Sequence, residues 1–232
     1  MALLAGLLTW RFADPDGYDR VVAEDGPVEW ATAAVYLLAA GAAAVVAWRF
    51  RRRRLWAAVV LYLLAATALF GIAGEEVSWG QRILDFEGPQ VLVENNKQDE
   101  ANVHNLLGRR YLHTVYILVG LYGAGVGRVV VDRIPALRRW SWLLAPDRTL
   151  RWYFVSLVVF YVYFEVSEVV LTRFLGAGVR PVNLGVSRLQ EVAELGLGLG
   201  FLLFFVGVCR RADETTTTDD STLAPVPTCS VG

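Results

Sequence analysis

The residues with the most chemical potential are carboxylates set within or at the ends of long apolar runs: Glu29, Glu75, Glu76, Glu165, Glu168, Glu191 and Glu194. Glu165/Glu168 and Glu191/Glu194 are each spaced i,i+3, so on a helix each pair projects from one face. A charged side chain near the middle of a bilayer costs about 2.5–3.5 kcal/mol on insertion scales. Two such pairs facing lipid would be wasteful. They are expected to face each other or a wet cavity, with Glu75 and Glu76 at its rim. Packed carboxylates cannot all stay ionised without cations; they are protonated, paired with arginine or bound to metal. Glu75, Glu76, Glu165, Glu168, Glu191, Glu194 and His104 therefore form a candidate ligand set for a divalent metal (zinc, manganese or iron). Such an ion would activate water.

The densest polar stretch is Glu75–Arg110, EEVSWGQRILDFEGPQVLVENNKQDEANVHNLLGRR. A 36-residue connection should carry some structure of its own. Gly88–Pro89 breaks it, and Asn96 can cap a short helix through Leu107 with Asp99 at N3. On that helix Glu100 and His104 are i,i+4 neighbours, which makes them the candidate pair for proton transfer. Ser78, Gln81, Arg82, Asn102 and Asn105 can orient ligands or bind a polar headgroup. His113, the other histidine, opens the next apolar run. A Ser78 nucleophile with His104 as base lacks the Gly-x-Ser-x-Gly elbow. Di-metal helix bundles repeat Glu-x-x-His, whereas this chain repeats Glu-x-x-Glu. A structural alternative is an ion-pair network with Arg82, Arg109, Arg110, Arg173, Arg180 and Arg188. Arg188 lies i,i+3 from Glu191.

The string Glu75-Glu76-Val77-Ser78-Trp79-Gly80-Gln81-Arg82, followed by Asn96-x-Gln98-x-Glu100-x-Asn102-x-His104-Asn105, resembles the E-E-[IV]-S-W-G-Q-R … N-x-Q-x-E-x-N-x-H-N signature of a family of polytopic prokaryotic membrane proteins. The resemblance covers residues 75–105 and implies a multi-pass helical membrane protein. It marks this loop as the signature and carries over no activity or catalytic role. Outward polar groups in a helical bundle also resemble membrane ceramidase-like hydrolases, but their multiple-histidine pattern is missing.

The elements that must position these groups are membrane spans. The chain has 232 residues, 55% of them hydrophobic, and several runs approach the ~20 apolar residues that cross a bilayer. The fold class is an all-α integral membrane bundle of five helices, at about 28–50, 55–74, 111–131, 150–172 and 186–208. Residues 1–27 form an external segment whose opening Met1–Trp10 is apolar but too short to cross, and reads as an interfacial anchor. The membrane domain covers 28–211, with a structured outer loop at 75–110. The tail 212–232, rich in Thr, Asp, Ser and Pro, reads as disordered and cytoplasmic. Gly123/Gly127 and Gly196/Gly200 are small-xxx-small pairs that allow close helix approach.

Topology follows from arginine. The links between spans one and two and between three and four, with Arg210 and Arg211, hold 13 of the 22 basic residues. The positive-inside rule makes that side cytoplasmic, the N-terminus external and the C-terminus internal. A rise of 1.5 Å per residue then sets Glu165 and Glu168 roughly 10 and 5 Å below the outer surface, and Glu191 and Glu194 roughly 7 and 12 Å below it. The inner halves of the spans lack Asp and Glu.

Net charge of −1 points to no nucleic-acid partner, and Cys209 and Cys229 make no disulfide framework. The expected setting is the cell membrane. The partners are the lipid bilayer and a lipid or lipid-linked substrate. The most specific functional expectation is a metal-dependent hydrolase or transferase acting on such a headgroup. The alternatives are a non-catalytic lipid- or partner-binding module with structural Arg–Glu pairs, and a proton- or cation-coupled carrier.

Overall fold

The computed structural model describes residues 2–23, 26–81, 109–175 and 184–222. Among them the chain is helical throughout, with no strand. Two short helices come first, α1 (Ala2–Ala13) and α2 (Pro15–Val21). Two long ones follow, α3 (Pro27–Arg52) and α4 (Trp56–Glu76). The next long rod is α5 (Arg109–Leu121), a π turn at Tyr122–Val126, and α6 (Gly127–Arg133). Short α7 (Pro135–Arg138) and α8 (Ser141–Leu144) lead to α9 (Arg151–Leu175) and α10 (Leu184–Thr222).

Four helical stretches are long and apolar enough to cross a membrane: Pro27–Arg52, Trp56–Glu76, Tyr111–Arg133 and Leu189–Asp213. Their outer faces agree with that reading. Leu37, Leu38, Leu63, Leu64, Val115 and Leu118 are all exposed, more apolar surface than a water-soluble monomer leaves open. At 25 residues α9 matches these helices in length and packs between α10 and α5.

Local chemistry sets the helix ends. Pro27 at the first turn of α3 has no N–H to leave unsatisfied, and Arg49, Arg51 and Arg52 in its last turn complement the negative end of the helix dipole. The α3–α4 turn is tight. Arg54 adopts φ 58°, its N–H bonds Arg51 O at 3.0 Å, and Leu55 N–H returns to Phe50 O at 3.1 Å. So short a link forces α3 and α4 antiparallel. On α3 the buried Tyr36, Ala40, Ala43, Ala47 and Phe50 recur at steps of three and four, one continuous stripe of mostly small residues. Both α4 and α10 pack closely on α3.

Neighbours run in the order α4, α3, α10, α9, α5. Across from α3, α4 and α5 face each other over a cavity of about 470 Å³ lined by Leu61, Tyr62, Leu118, Tyr122 and Phe205 among others. Below it, the Tyr62 hydroxyl donates to Leu143 O at 2.7 Å and the Tyr122 hydroxyl to Leu144 O at 2.8 Å, pinning α8 beneath the bundle. The π turn carries Gly125 at φ 143°, a conformation open in practice only to glycine.

Met1–Trp10, expected as an interfacial anchor, lies largely in α1, and its Leu7 packs on the cluster of Tyr18, Val22, Val28, Val192 and Leu195. One boundary differs from the sequence reading. The last helix does not stop near residue 208 but continues to Thr222. Ala212 is buried at 1% exposure. Arg49 donates to Cys209 O and pairs with Asp213 at 2.7 Å each, and Arg53 donates to Ala212 O. These contacts with α3 support the extra turn.

Candidate functional site

The site lies at the end of the bundle opposite the arginine-rich α3–α4 turn. Glu76 is the last residue of α4, and Glu191 and Glu194 lie one turn apart on α10. One carboxylate oxygen from each lies within 4.8 Å of the others. Glu194 is 5% exposed, while Glu76 and Glu191 are partly buried. Glu29, at the start of α3, is near enough to act on Glu76 electrostatically.

Glu194 is held from three sides. The Tyr161 hydroxyl on α9 donates to its Oε1 at 2.5 Å, and Gln190 Nε2 donates to the same oxygen at 2.9 Å. The Tyr36 hydroxyl on α3 donates to its backbone carbonyl at 3.3 Å. Tyr36 is fully buried, and Tyr161 stacks on Tyr116 of α5 with ring centroids 4.8 Å apart. Tyrosine suits this place because its ring packs as core while its hydroxyl serves the carboxylate.

A second pair adjoins the first. His113 Nδ1 on α5 lies 2.5 Å from Glu165 Oε1 on α9. The His113 ring packs against Tyr161 at 4.9 Å and against Phe164 at 5.1 Å. One aromatic ring therefore touches both polar groups: Tyr161 bonds Glu194 with its hydroxyl and packs its ring on His113 at a tilt of 54°.

At the other edge Tyr18 and Val22 at the α2 end pack beside Glu191 on α10. Asp14 caps α2 by accepting from Gly17 N–H at 2.9 Å, with Pro15 in the first turn. That capped turn delivers Tyr18, fully buried, onto Val192 and Leu195. Burial pushes the Tyr18 phenol above its ordinary value. The Arg11 guanidinium, 5.7 Å over the ring, works against the rise, and Asp19 and Glu191 add to it.

Glu75 and Glu76, adjacent in sequence, part company here. Glu75 accepts from Trp79 Nε1 at 2.7 Å and stays outside the three-carboxylate group. Trp79 reaches it from a 3₁₀ turn at Ser78–Gly80 in which Ser78 and Trp79 hold φ of 48° and 54°. Its ring lies over Gly74, where a Cβ would meet the ring carbons at 2.8 Å. Ser78 is buried and Gln81 partly buried next to this turn. The run Glu75–Gln81 is thus a compact folded corner with two residues in left-handed conformations, a cost retained only where surrounding structure over-determines it.

The sequence reading has the two i,i+3 pairs facing each other or a wet cavity, with Glu75 and Glu76 at the rim. In the structure Glu76 joins Glu191 and Glu194, and Glu165 turns to His113. The side chain of Glu168 lies outside the described residues, as do Arg82, Glu100, Asn102, His104 and Asn105. Sequence reasoning passed over Tyr36, Tyr116, Tyr161 and Gln190. One signal was available: Gln190 precedes Glu194 by four residues, the spacing of helix-surface hydrogen bonds. The tyrosines carry none, because a tyrosine in an apolar run is ordinary core.

Comparison with protein-family models, with curated proteins and with solved structures finds no match.

Proposed function

We propose that this is a five-span membrane protein whose outer end binds a divalent cation among Glu76, Glu191 and Glu194. In this reading α9 is the fifth span, the N-terminus is outside and the C-terminus is cytoplasmic. The arrangement of arginines at the opposite end supports that orientation. The observation that carries the cation is the mutual approach of the three carboxylates within 4.8 Å. Ligand oxygens stand about 2.0–2.6 Å from their ion, so three oxygens within 4.8 Å of one another lie near the separation at which small side-chain adjustments let them share one. An all-carboxylate donor set favours magnesium, calcium or manganese over zinc. His113, engaged with Glu165, sits one ring away and holds the surrounding shell in place.

The chemistry such an ion supports at headgroup level is hydrolysis of, or transfer from, a lipid or lipid-linked headgroup, with metal-bound water or an acceptor hydroxyl as nucleophile. Glu100 and His104 are the residues proposed for proton transfer. A second reading has its own observation. Tyr161 and Gln190 both donate to one oxygen of Glu194, which also suits a hydrogen-bonded cluster that carries protons in place of a metal and belongs to a carrier or binding module.

Manganese titration of the purified full-length protein by calorimetry, with elemental analysis, separates the two. The expected result is about one equivalent of ion, lost in both Glu76→Gln and Glu194→Gln. A wild-type protein that binds no manganese, magnesium or calcium sinks the metal reading. An ion bound without any chelator-sensitive turnover across phospholipid and polyprenyl-phosphate substrates sinks the enzyme.

A further inference from the structure

The arginine-rich end of the bundle carries its own cavity system, remote from the carboxylates. A polar pocket of about 590 Å³ is lined by Arg128, Asp132, Asp147, Arg148, Thr149 and Arg211. It joins a groove of about 220 Å³ that shares Asp147, Thr149 and Arg211 and then runs along α10 over Leu203, Phe204 and Gly207. Phe204 also borders the larger apolar cavity between α4 and α5. Polar pocket and apolar groove are therefore adjoining parts of one surface.

One arginine of the pocket stands outside its ion pairs. Arg128 bonds Asp132 at 3.0 Å and reaches Asp147 at 3.5 Å, while Arg211 contacts the other oxygen of Asp147. Arg148 is exposed and makes no ion pair with either acid. Three arginines and two aspartates line the pocket, and Arg148 is the arginine that neither aspartate engages. A phosphodiester carries one negative charge. The groove beside it is open at its floor, since a Cβ on Gly207 would meet nothing within 4 Å. Gly207 precedes Arg211 by four residues, about 6 Å along the helix axis, which is where a chain leaving a headgroup enters hydrocarbon. Leu203, 41% exposed, lines the groove with its side toward the bilayer.

We propose that this surface binds an anionic phospholipid, its phosphate on Arg148 with Arg128 and Arg211, and an acyl chain in the groove over Gly207. Charge complementarity selects the headgroup, and the adjoining groove selects a lipid over a free anion. The site is independent of the carboxylate cluster and of its proposed ion.

Native mass spectrometry of the full-length protein released from detergent tests it, with phosphatidylglycerol and phosphatidylcholine of identical chains titrated in turn. The expected result is one retained phosphatidylglycerol, bound several-fold more tightly than phosphatidylcholine. Arg148→Gln lowers phosphatidylglycerol binding about fivefold, the share of one arginine at an anionic lipid surface. Gly207→Leu fills open space, leaves the melting temperature unchanged and weakens both lipids about tenfold by excluding the chain. Glu194→Gln changes neither. Equal retention of the two lipids by the wild type overturns the proposal, as does phosphatidylglycerol binding that survives both Arg148→Gln and Gly207→Leu. Inorganic phosphate displacing the lipid, with Gly207→Leu without effect, would make this a free-anion site and overturn it equally.

Discussion

Glu194 concentrates the competing demands on this fold. Its carboxylate is buried, takes two hydrogen bonds on one oxygen and approaches two further carboxylates. Its amide isostere keeps an acceptor for the Tyr161 hydroxyl and removes one charge. Glu194→Gln should therefore unfold at a higher temperature than the wild type when divalent ions are absent, and lose the rise that the ion confers. That rise corresponds to about 2.7 kcal/mol at a hundredfold excess over Kd, and thermal unfolding in detergent with and without manganese reads it. Glu194→Ala should behave differently. It strands the buried Tyr161 hydroxyl and should lose about 1–3 kcal/mol without divalent ions, and with manganese the ion's contribution as well. His113→Ala should destabilise by a similar amount, about 1–3 kcal/mol, because Glu165 loses its partner and Tyr161 loses a ring contact. A His113→Ala protein as stable as the wild type would make the His113–Glu165 contact incidental.

At the scale of elements, close helix contacts decide whether those residues meet. A Cβ on Gly123 would lie 2.1 Å from a ring carbon of Phe154, itself 1% exposed, so the α5–α6 rod cannot approach α9 with any larger residue there. Gly123→Ala should cost about 1–3 kcal/mol by overpacking and shift His113 against Glu165. Gly207→Ala, with open space around it, should be nearly silent in the same unfolding assay. Equal effects of the two alanines would contradict this packing. The turn of α10 just beyond residue 208 hangs on Arg49, which holds both Cys209 O and Asp213. Arg49→Gln should speed amide hydrogen exchange through residues 210–213 while leaving 195–205 protected. Uniform exchange along the helix would show that Arg49 does not hold this end.

For the whole molecule the decisive matter is which way the bundle lies. Arginines gather at the end that carries the α3–α4 turn, α7, α8 and Arg211. Glu29, Glu76, Glu165, Glu191, Glu194 and His113 gather at the other. A reporter fused after Arg211 should read cytoplasmic. Accessibility labelling of single cysteines placed at 148 and at 180 should find them on opposite sides of the membrane if α9 crosses. Labelling from one side would remove the fifth span. An external reporter signal after Arg211 would invert the topology and put the carboxylate site inside the cell.

The sequence by itself determined the helical class, the apolar lengths of the helices, and the setting of arginine at one end of them and glutamate at the other. Those properties follow from composition along one dimension: 20-residue apolar runs, arginine in alternate links, a fixed rise per residue. Azimuth and neighbour choice depended on the tertiary structure. Glu165 and Glu194 both look inward by sequence, but only the packing of α9 between α5 and α10 gives one to His113 and the other to Tyr161. Glu75 and Glu76 are alike in sequence. The left-handed turn at Ser78 and Trp79 takes Glu75 for an indole, and the end of α4 leaves Glu76 to meet α10. Helical periodicity says which residues share a face. It does not say which helix that face will meet, because that choice is made by small residues, ring shapes and short links acting across the whole bundle.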